Sequence, residues 1–322
     1  MLHVVEEPRR IERAVKRLHS ALKGVPARNV RLTWRGGELT TTIRWMRDEG
    51  FWWALEARPA RNAAAGRYAL LLGHAPDAPA RRESVTCEIN LLRAGTDRRL
   101  AGLIARDDAG ALYLVHSGRI GGTRRGRRKA DFRAFLSDGV WSALTWPDGR
   151  ETEALVVAPL DSPRFARLLG QFVKTVRGFK AGEILAARAG LCVPPALLDS
   201  ARAACDRRLV DGALHEELAK RGLFGGAADL FTLRGELPRP LFALVADSRP
   251  DELALAVGSL SLAAARGDSR VRPILIAPAA LVDSHDAALQ ALPFACVRYR
   301  WRGTRAVFDN LDAALARESR RW

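Results

Sequence analysis

Residues 239–260 read RPLFALVADSRPDELALAVGSL. The apolar run 241–246 has the length of a buried strand, Ser248 to Pro250 supply a turn, and DELALAVGSL continues as a helix. Working outward, residues 197–222 (LLDSARAACDRRLVDGALHEELAKRG) carry a helical pattern, 228–235 (ADLFTLRG) a strand and 236–239 (ELPR) a turn. Beyond the helix, VRPILIAP at 271–278 reads as a strand, DSHDAALQAL at 283–292 as a helix and FACVRYRW at 294–301 as another strand. Strands alternating with helices, and apolar enough for burial on both faces, predict a layered α/β domain over 197–322.

The region before it has a different rhythm. NVRLTW at 29–34 alternates Val30, Leu32 and Trp34 with polar residues, a strand signature. ELTTTIRWM at 38–46 and FWWALEAR at 51–58 flank the turn-like RDEG, and GRYALLLG at 66–73 and SVTCEINLLR at 84–93 follow. Two hairpins are expected, one turning at Asp107 to Gly110 and one at Pro147 to Gly149. Short turns between consecutive strands imply a mainly antiparallel sheet. The N-terminal stretch places Ile11, Val15, Leu18 and Leu22 on one helical face, and it lacks the uninterrupted apolar run of a signal or a membrane span. In SPRFARLLGQFVKTVRGFKAG (162–182), Phe165, Leu168, Leu169, Phe172, Val173, Val176 and Phe179 follow helical spacing and close the first domain. Gly182 and the Ala/Gly/Pro-rich stretch after it form the boundary. The reading is thus α+β: a β-rich domain with flanking helices over 1–182, then the α/β domain.

Length fits two domains, and a hydrophobic fraction of 48% excludes a wholly disordered chain. Cys87, Cys192, Cys205 and Cys296 form neither a CxxC pair nor a zinc-finger spacing, and are expected as reduced thiols of a cytosolic protein. Of the formal charge of +16, residues 1–180 supply +14 (33 Lys+Arg against 19 Asp+Glu) and residues 181–322 only +2 (19 against 17). An Ala- and Arg-rich bacterial composition raises charge by itself, yet the C-terminal half shares that composition and is nearly neutral. The N-terminal excess therefore points to a polyanionic partner, DNA first and RNA as the other candidate, and without an apolar span no membrane partner is expected.

The α-β-β-α-β order of residues 200–305 resembles the PD-(D/E)xK nuclease superfamily. In one group of those domains the second strand reads like lfEVKtd and the next helix carries YxAiGQL. LFALVAD (241–247) and LALAVGSL (253–260) occupy these places here. The resemblance implies a nuclease fold in which the first acid falls on Asp229, the catalytic candidate. The family's Glu and Lys, which would stand on one strand face to hold Mg²⁺ and activate water, fall on Ala243 and Val245. Neither can bind metal or move a proton, so the resemblance implies a degenerate domain without metal or other cofactor. It would act as scaffold, DNA-shape reader, or a homodimer or partner surface, for instance as the non-catalytic subunit of a defence or repair complex. The enzymatic alternative is a Mg²⁺-dependent DNA nuclease with relocated acids, drawn from Glu216, Glu217, Asp247 and Glu252.

HSGRIGGTRRGRRKADF (116–132) is the second feature. Arg119, Arg124, Arg125, Arg127, Arg128 and Lys129 fall among Gly118, Gly121, Gly122 and Gly126, with no acid before Asp131. Glycine admits close approach and guanidinium grips phosphate bidentately. The spacing matches neither a P-loop nor a dinucleotide fingerprint, so a flexible loop contacting nucleic-acid phosphate is expected. Trp52 and Trp53 are neighbours and cannot fill the same strand face; one is expected either to stack on a base or to pack beneath a helix. His116 beside Ser117 lacks a GxSxG elbow and a placed acid. His215 in LHEEL lacks the second zinc histidine, because position 219 is Ala219.

Overall fold

A computed structural model describes residues 1–34, 37–59, 66–120, 128–137, 139–183, 201–222, 239–246, 250–265 and 271–316. Helix and strand contribute comparably, and the chain divides into two compact units, 1–184 and 185–322.

In the first unit, strand β1 (Leu2–Val4) leads into helix α1 (Pro8–Ala21). Pro8 at the helix start has no N–H to waste there, and Ile11, Val15, Leu18 and Leu22 are all buried. Strands β2 (Val25–Trp34), β3 (Gly37–Met46), β4 (Phe51–Arg58), β5 (Arg67–His74), β6 (Arg82–Ser84) and β7 (Cys87–Leu92) make one sheet in the order β6-β2-β3-β4-β5-β7. All its neighbours are antiparallel except β6 and β2. Gly50 closes the 3-10 turn between β3 and β4 in the left-handed region, at φ 67°.

Strands β8 (Gly102–Asp107) and β9 (Leu112–His116), helix α2 (Lys129–Phe135), and strands β10 (Trp141–Thr145) and β11 (Glu151–Pro159) follow. Both expected hairpins are present. Their four strands join β1 in a closed barrel, β1-β10-β11-β9-β8. Closure depends on three residues at the chain start: Leu2 pairs with Leu144 of β10 in parallel and with Asp107 of β8 antiparallel. So short a strand has no periodicity to read, and the barrel was not expected. Helix α3 (Phe165–Ala181) buries all seven of its heptad-like apolar residues and packs against β5 and β11. Its end is capped by Gly182 at φ 79°.

The second unit holds helix α4 (Ala201–Lys220), strand β12 (Arg239–Leu244), helix α5 (Pro250–Ala265), strand β13 (Val271–Pro278), helices α6 (Ala279–Ser284) and α7 (Asp286–Gln290), strands β14 (Ala295–Arg302) and β15 (Arg305–Asp309), and helix α8 (Leu311–Ala316). Strands β12, β13 and β14 are parallel, and β15 returns antiparallel along β14. One sheet face packs under α4 and α8 through Phe242, Leu244, Ile274, Ile276, Val297 and Tyr299. The other packs under α5, α6 and α7 through Ala243, Val245, Leu275 and Ala277. Strand β14 departs from the expectation of burial on both faces: Val297 and Tyr299 are buried, whereas Arg298, Arg300 and Arg302 are exposed. The expected strand at 228–235, with Asp229, lies outside the described residues. Among the described residues no helix is long and apolar enough to cross a membrane, and Cys87, Cys205 and Cys296 are free thiols.

Candidate nucleic-acid interface

Ala243 and Val245, where the resemblance would place an acid and a lysine, are filled with core. Both are fully buried in an apolar layer with Leu253, Ala256, Leu260, Leu275 and Ala277. The relocated acids are dispersed. Glu216 is exposed on α4, and Glu217 pairs with Lys220 at 2.6 Å and Arg221 at 2.8 Å. Asp247 lies outside the described residues. Glu252 is buried at the carboxyl end of β12, where its Oε1 accepts the Ala246 N–H at 3.0 Å. Burial disfavours the charged form of the nearby Arg207, while Glu252 and Asp211 favour it. The buried acids of this corner thus share a cation of the chain itself.

The basic segment 116–132 is built differently from a flexible loop at both of its described ends. Its first residue, His116, is the last of β9 and is buried against Phe172, with ring centroids 5.3 Å apart. The Gly118 N–H donates to His116 Nδ1 at 3.0 Å, which leaves the proton of the neutral ring on Nε2. Burial pushes the His116 ring down to about 4, with a smaller push from Lys129. The imidazole is thereby a neutral structural acceptor. Gly118 turns the chain at φ 82°, and a Cβ there would lie 2.9 Å from Trp141 Cη2 and 3.3 Å from Lys129 Cγ. Only glycine satisfies both the backbone angle and the space.

At the other end, Lys129 opens helix α2, a correction to the loop expected through Lys129. The helix forms because Phe132 is buried against Trp141 and Phe179, with centroids 6.4 Å and 5.1 Å away. Phe135 adds a second contact to Phe179 at 5.2 Å. Those aromatics hold Lys129 half-buried, its Nζ donating to the Glu153 carbonyl at 2.6 Å. Burial lowers the Lys129 ammonium first; Glu153 opposes the shift, and Arg119 and Arg133 reinforce it. Arg119, Lys129 and Arg133 are therefore drawn together at one edge of the barrel although fourteen positions separate the first from the last.

The edge continues through neighbouring arginines. Arg119 is exposed and its Nη1 donates to the Arg98 carbonyl at 3.2 Å. Arg98 itself lies 5.2 Å over Trp146 and pairs with Asp148. Arg133 stands 4.9 Å over Trp141 and pairs with Glu153 at 3.2 Å. Arg128 is exposed, its N–H held by the Asp131 carboxylate. Arg124, Arg125 and Arg127 lie outside the described residues.

The aromatic expectation is corrected in part. Trp52 and Trp53 do face opposite sides of β4, but neither presents a ring to solvent: they are 0% and 2% exposed. Trp52 packs with Val30, Leu32, Ile43 and Leu71 and donates from Nε1 to Glu83 at 3.2 Å. Trp53 meets His19 of α1 edge-on at 5.4 Å. Among the described residues of the first unit, the tryptophans that keep partial exposure are Trp34, Trp45 and Trp141, each with a guanidinium over its ring: Arg58 at 5.4 Å, Arg47 at 6.0 Å and Arg133 at 4.9 Å. Sequence reasoning singled out the wrong pair because adjacency in a strand predicts opposite faces, not which faces are covered. A usable signal was an arginine within two residues of the ring, as at Trp45 and Arg47.

Comparison of the chain with protein-family models, with curated proteins and with solved structures found no match.

Proposed function

We propose that this protein binds DNA, mainly through its phosphates, by the basic barrel edge that carries Arg119, Arg128 and Lys129 and by the segment with Arg124, Arg125 and Arg127 between them. The convergence of Lys129 and Arg133 on Glu153, with Gly118 against Lys129 and the exposed Arg119 next to it, is the observation that carries this reading. Three cations around one carboxylate leave an excess of positive charge at this edge, and phosphate accepts several guanidinium and ammonium donors at once. Trp141, beside the same edge, offers a ring for base stacking in place of Trp52 and Trp53. The C-terminal unit, read as a nuclease-like domain without its catalytic pair, serves as scaffold or interaction module; the apolar layer at Ala243 and Val245 supports that role.

The test is the salt dependence of duplex binding. Replacing Arg124, Arg125, Arg127 and Arg128 together by alanine removes up to four phosphate contacts. The slope of log affinity against log salt should then fall by up to about 3.6. An unchanged slope and affinity would remove the segment from the interface.

A further inference from the structure

The nearly neutral C-terminal unit carries a concentrated cationic face. Residues 295–302, ACVRYRWR, alternate apolar side chains with arginine, and β14 turns that alternation into two unlike surfaces. Val297, Tyr299 and Trp301 pack toward α4 and α8. Arg298, Arg300 and Arg302 project from the other face, all exposed. Arg305 of β15 stands directly opposite Arg302 and lengthens the row. Asp283 pairs with Arg298 at 3.0 Å, and Asp309 with Arg300. Alternate residues of a strand repeat about every 6.6–6.8 Å, a spacing comparable with that of successive phosphates along an extended single strand.

Beside the start of the row, where Asp283 of α6 pairs with Arg298, an open cleft of about 330 Å³ is lined by residues of α6, α7 and β14. Leu289 and Phe294 form apolar wall, and Asp286, Gln290, Asn310 and Arg298 bring hydrogen-bonding groups to it. Asn310 adopts the left-handed region at φ 55°, and its Nδ2 donates to the Cys296 carbonyl at 3.0 Å, so its amide is held in place. Gln290 is held likewise, donating to Asp286 at 2.6 Å. A mainly polar lining of fixed hydrogen-bonding groups beside a small apolar wall, at the small end of the usual range of about 300–1,000 Å³, suits a group with several hydrogen-bonding edges, such as a nucleobase.

We infer that the arginine face of β14 and β15 with its adjoining cleft is a binding site for single-stranded nucleic acid, the phosphates lying on Arg298, Arg300 and Arg302 and one unpaired base entering the cleft. A small anion would have no use for the row. A duplex cannot place a base in the cleft without first unstacking and unpairing it. The inference takes its partner class from the proposed function and extends it to a second, separate surface.

The experiment compares binding of the full chain to a fluorescent fifteen-residue thymidine strand, a matched duplex, inorganic polyphosphate and poly-glutamate. R300E/R302E should weaken the single strand at least tenfold, and its salt slope should fall by about 1.4, at 0.7 per lost contact. Gln290→Trp, which fills the cleft, should weaken the thymidine strand several-fold and leave polyphosphate unchanged. Should R300E/R302E fail to fold, Arg302→Gln, at an exposed position, should still lower the slope by about 0.7. Unchanged single-strand binding in R300E/R302E, with the 124/125/127/128 variant still impaired on duplex, overturns this site and leaves the proposed function standing. Insensitivity of both sets overturns the proposed function. An unaffected Gln290→Trp removes the base from the cleft, and poly-glutamate binding as tight as the thymidine strand assigns the face to an acidic protein.

Discussion

In residues 1–184 arginine lies over tryptophan rings and beside carboxylates at scattered points of a sheet and a barrel, whereas in residues 201–316 it stands in a row on one face of one strand. The first region carries nearly all of the net charge, the second almost none. Yet the second holds three exposed arginines at alternate positions, two of them with a single carboxylate each, Asp283 on Arg298 and Asp309 on Arg300, while Glu217 and Asp312 lie on Arg221 and Glu252 and Asp211 near Arg207. Net charge reports the long-range field that gathers a polyanion; the local pattern decides where it lies.

The sharpest way to break the contrast is at Ala243 and Val245. If the apolar layer has replaced a metal site, restoring the family's pair by Ala243→Glu and Val245→Lys should bury two charges among Leu253, Ala256 and Leu275 rather than rebuild catalysis. A cost of about 3–5 kcal/mol or more is expected, enough to consume most of the stability of an ordinary domain. Urea unfolding would measure it; a variant as stable as the parent would mean that this face can open to water.

Smaller effects belong to the barrel edge. His116 has its folded value pushed to about 4 by burial, against about 6.5 when unfolded. Between those values the unfolded chain binds the extra proton, so stability rises with pH across that window. Going from pH 7 to pH 5 should cost about 2 kcal/mol through this residue. His116→Asn keeps an acceptor for the Gly118 N–H without titrating, and should abolish that part of the pH dependence in urea titrations. Gly118→Ala should cost about 1–2 kcal/mol from the left-handed backbone, with the Trp141 contact adding to it. Thermal unfolding at fixed pH measures that loss.

How much of this could be read from the chain varies with range. Helix α3 and both hairpins were legible, since periodicity and turn residues are local. The barrel was not, because β1 is three residues long and its partners lie more than a hundred positions away. Helix α2 was hidden by its own arginines: the cationic run dominates 124–129, while the reason the helix forms, Phe132 and Phe135 on Phe179, lies fifty residues downstream. The arginine row was visible in VRYRWR, but a strand assigned to a doubly covered sheet gives no cause to ask which side stays bare. That depends on where α6 and α7 pack against β13 and β14, a tertiary fact.

The smallest structural effect separates interface from scaffold. Arg133 stacks on Trp141 and pairs with Glu153 with both charged side chains well exposed, at 39% and 45%. Such contacts are worth less than about 1 kcal/mol each, so Arg133→Gln should shift the urea midpoint only slightly. The same change removes one of the two cations that disfavour the Lys129 ammonium, so the Lys129 value should rise toward normal, which NMR of the lysine side chain can follow. If the edge binds phosphate, duplex affinity should drop and the salt slope should fall by about 0.9, despite the easier protonation of Lys129. A large loss of stability with an unchanged slope would reverse the assignment and make Arg133 a strut of the barrel, with the polyanion held elsewhere.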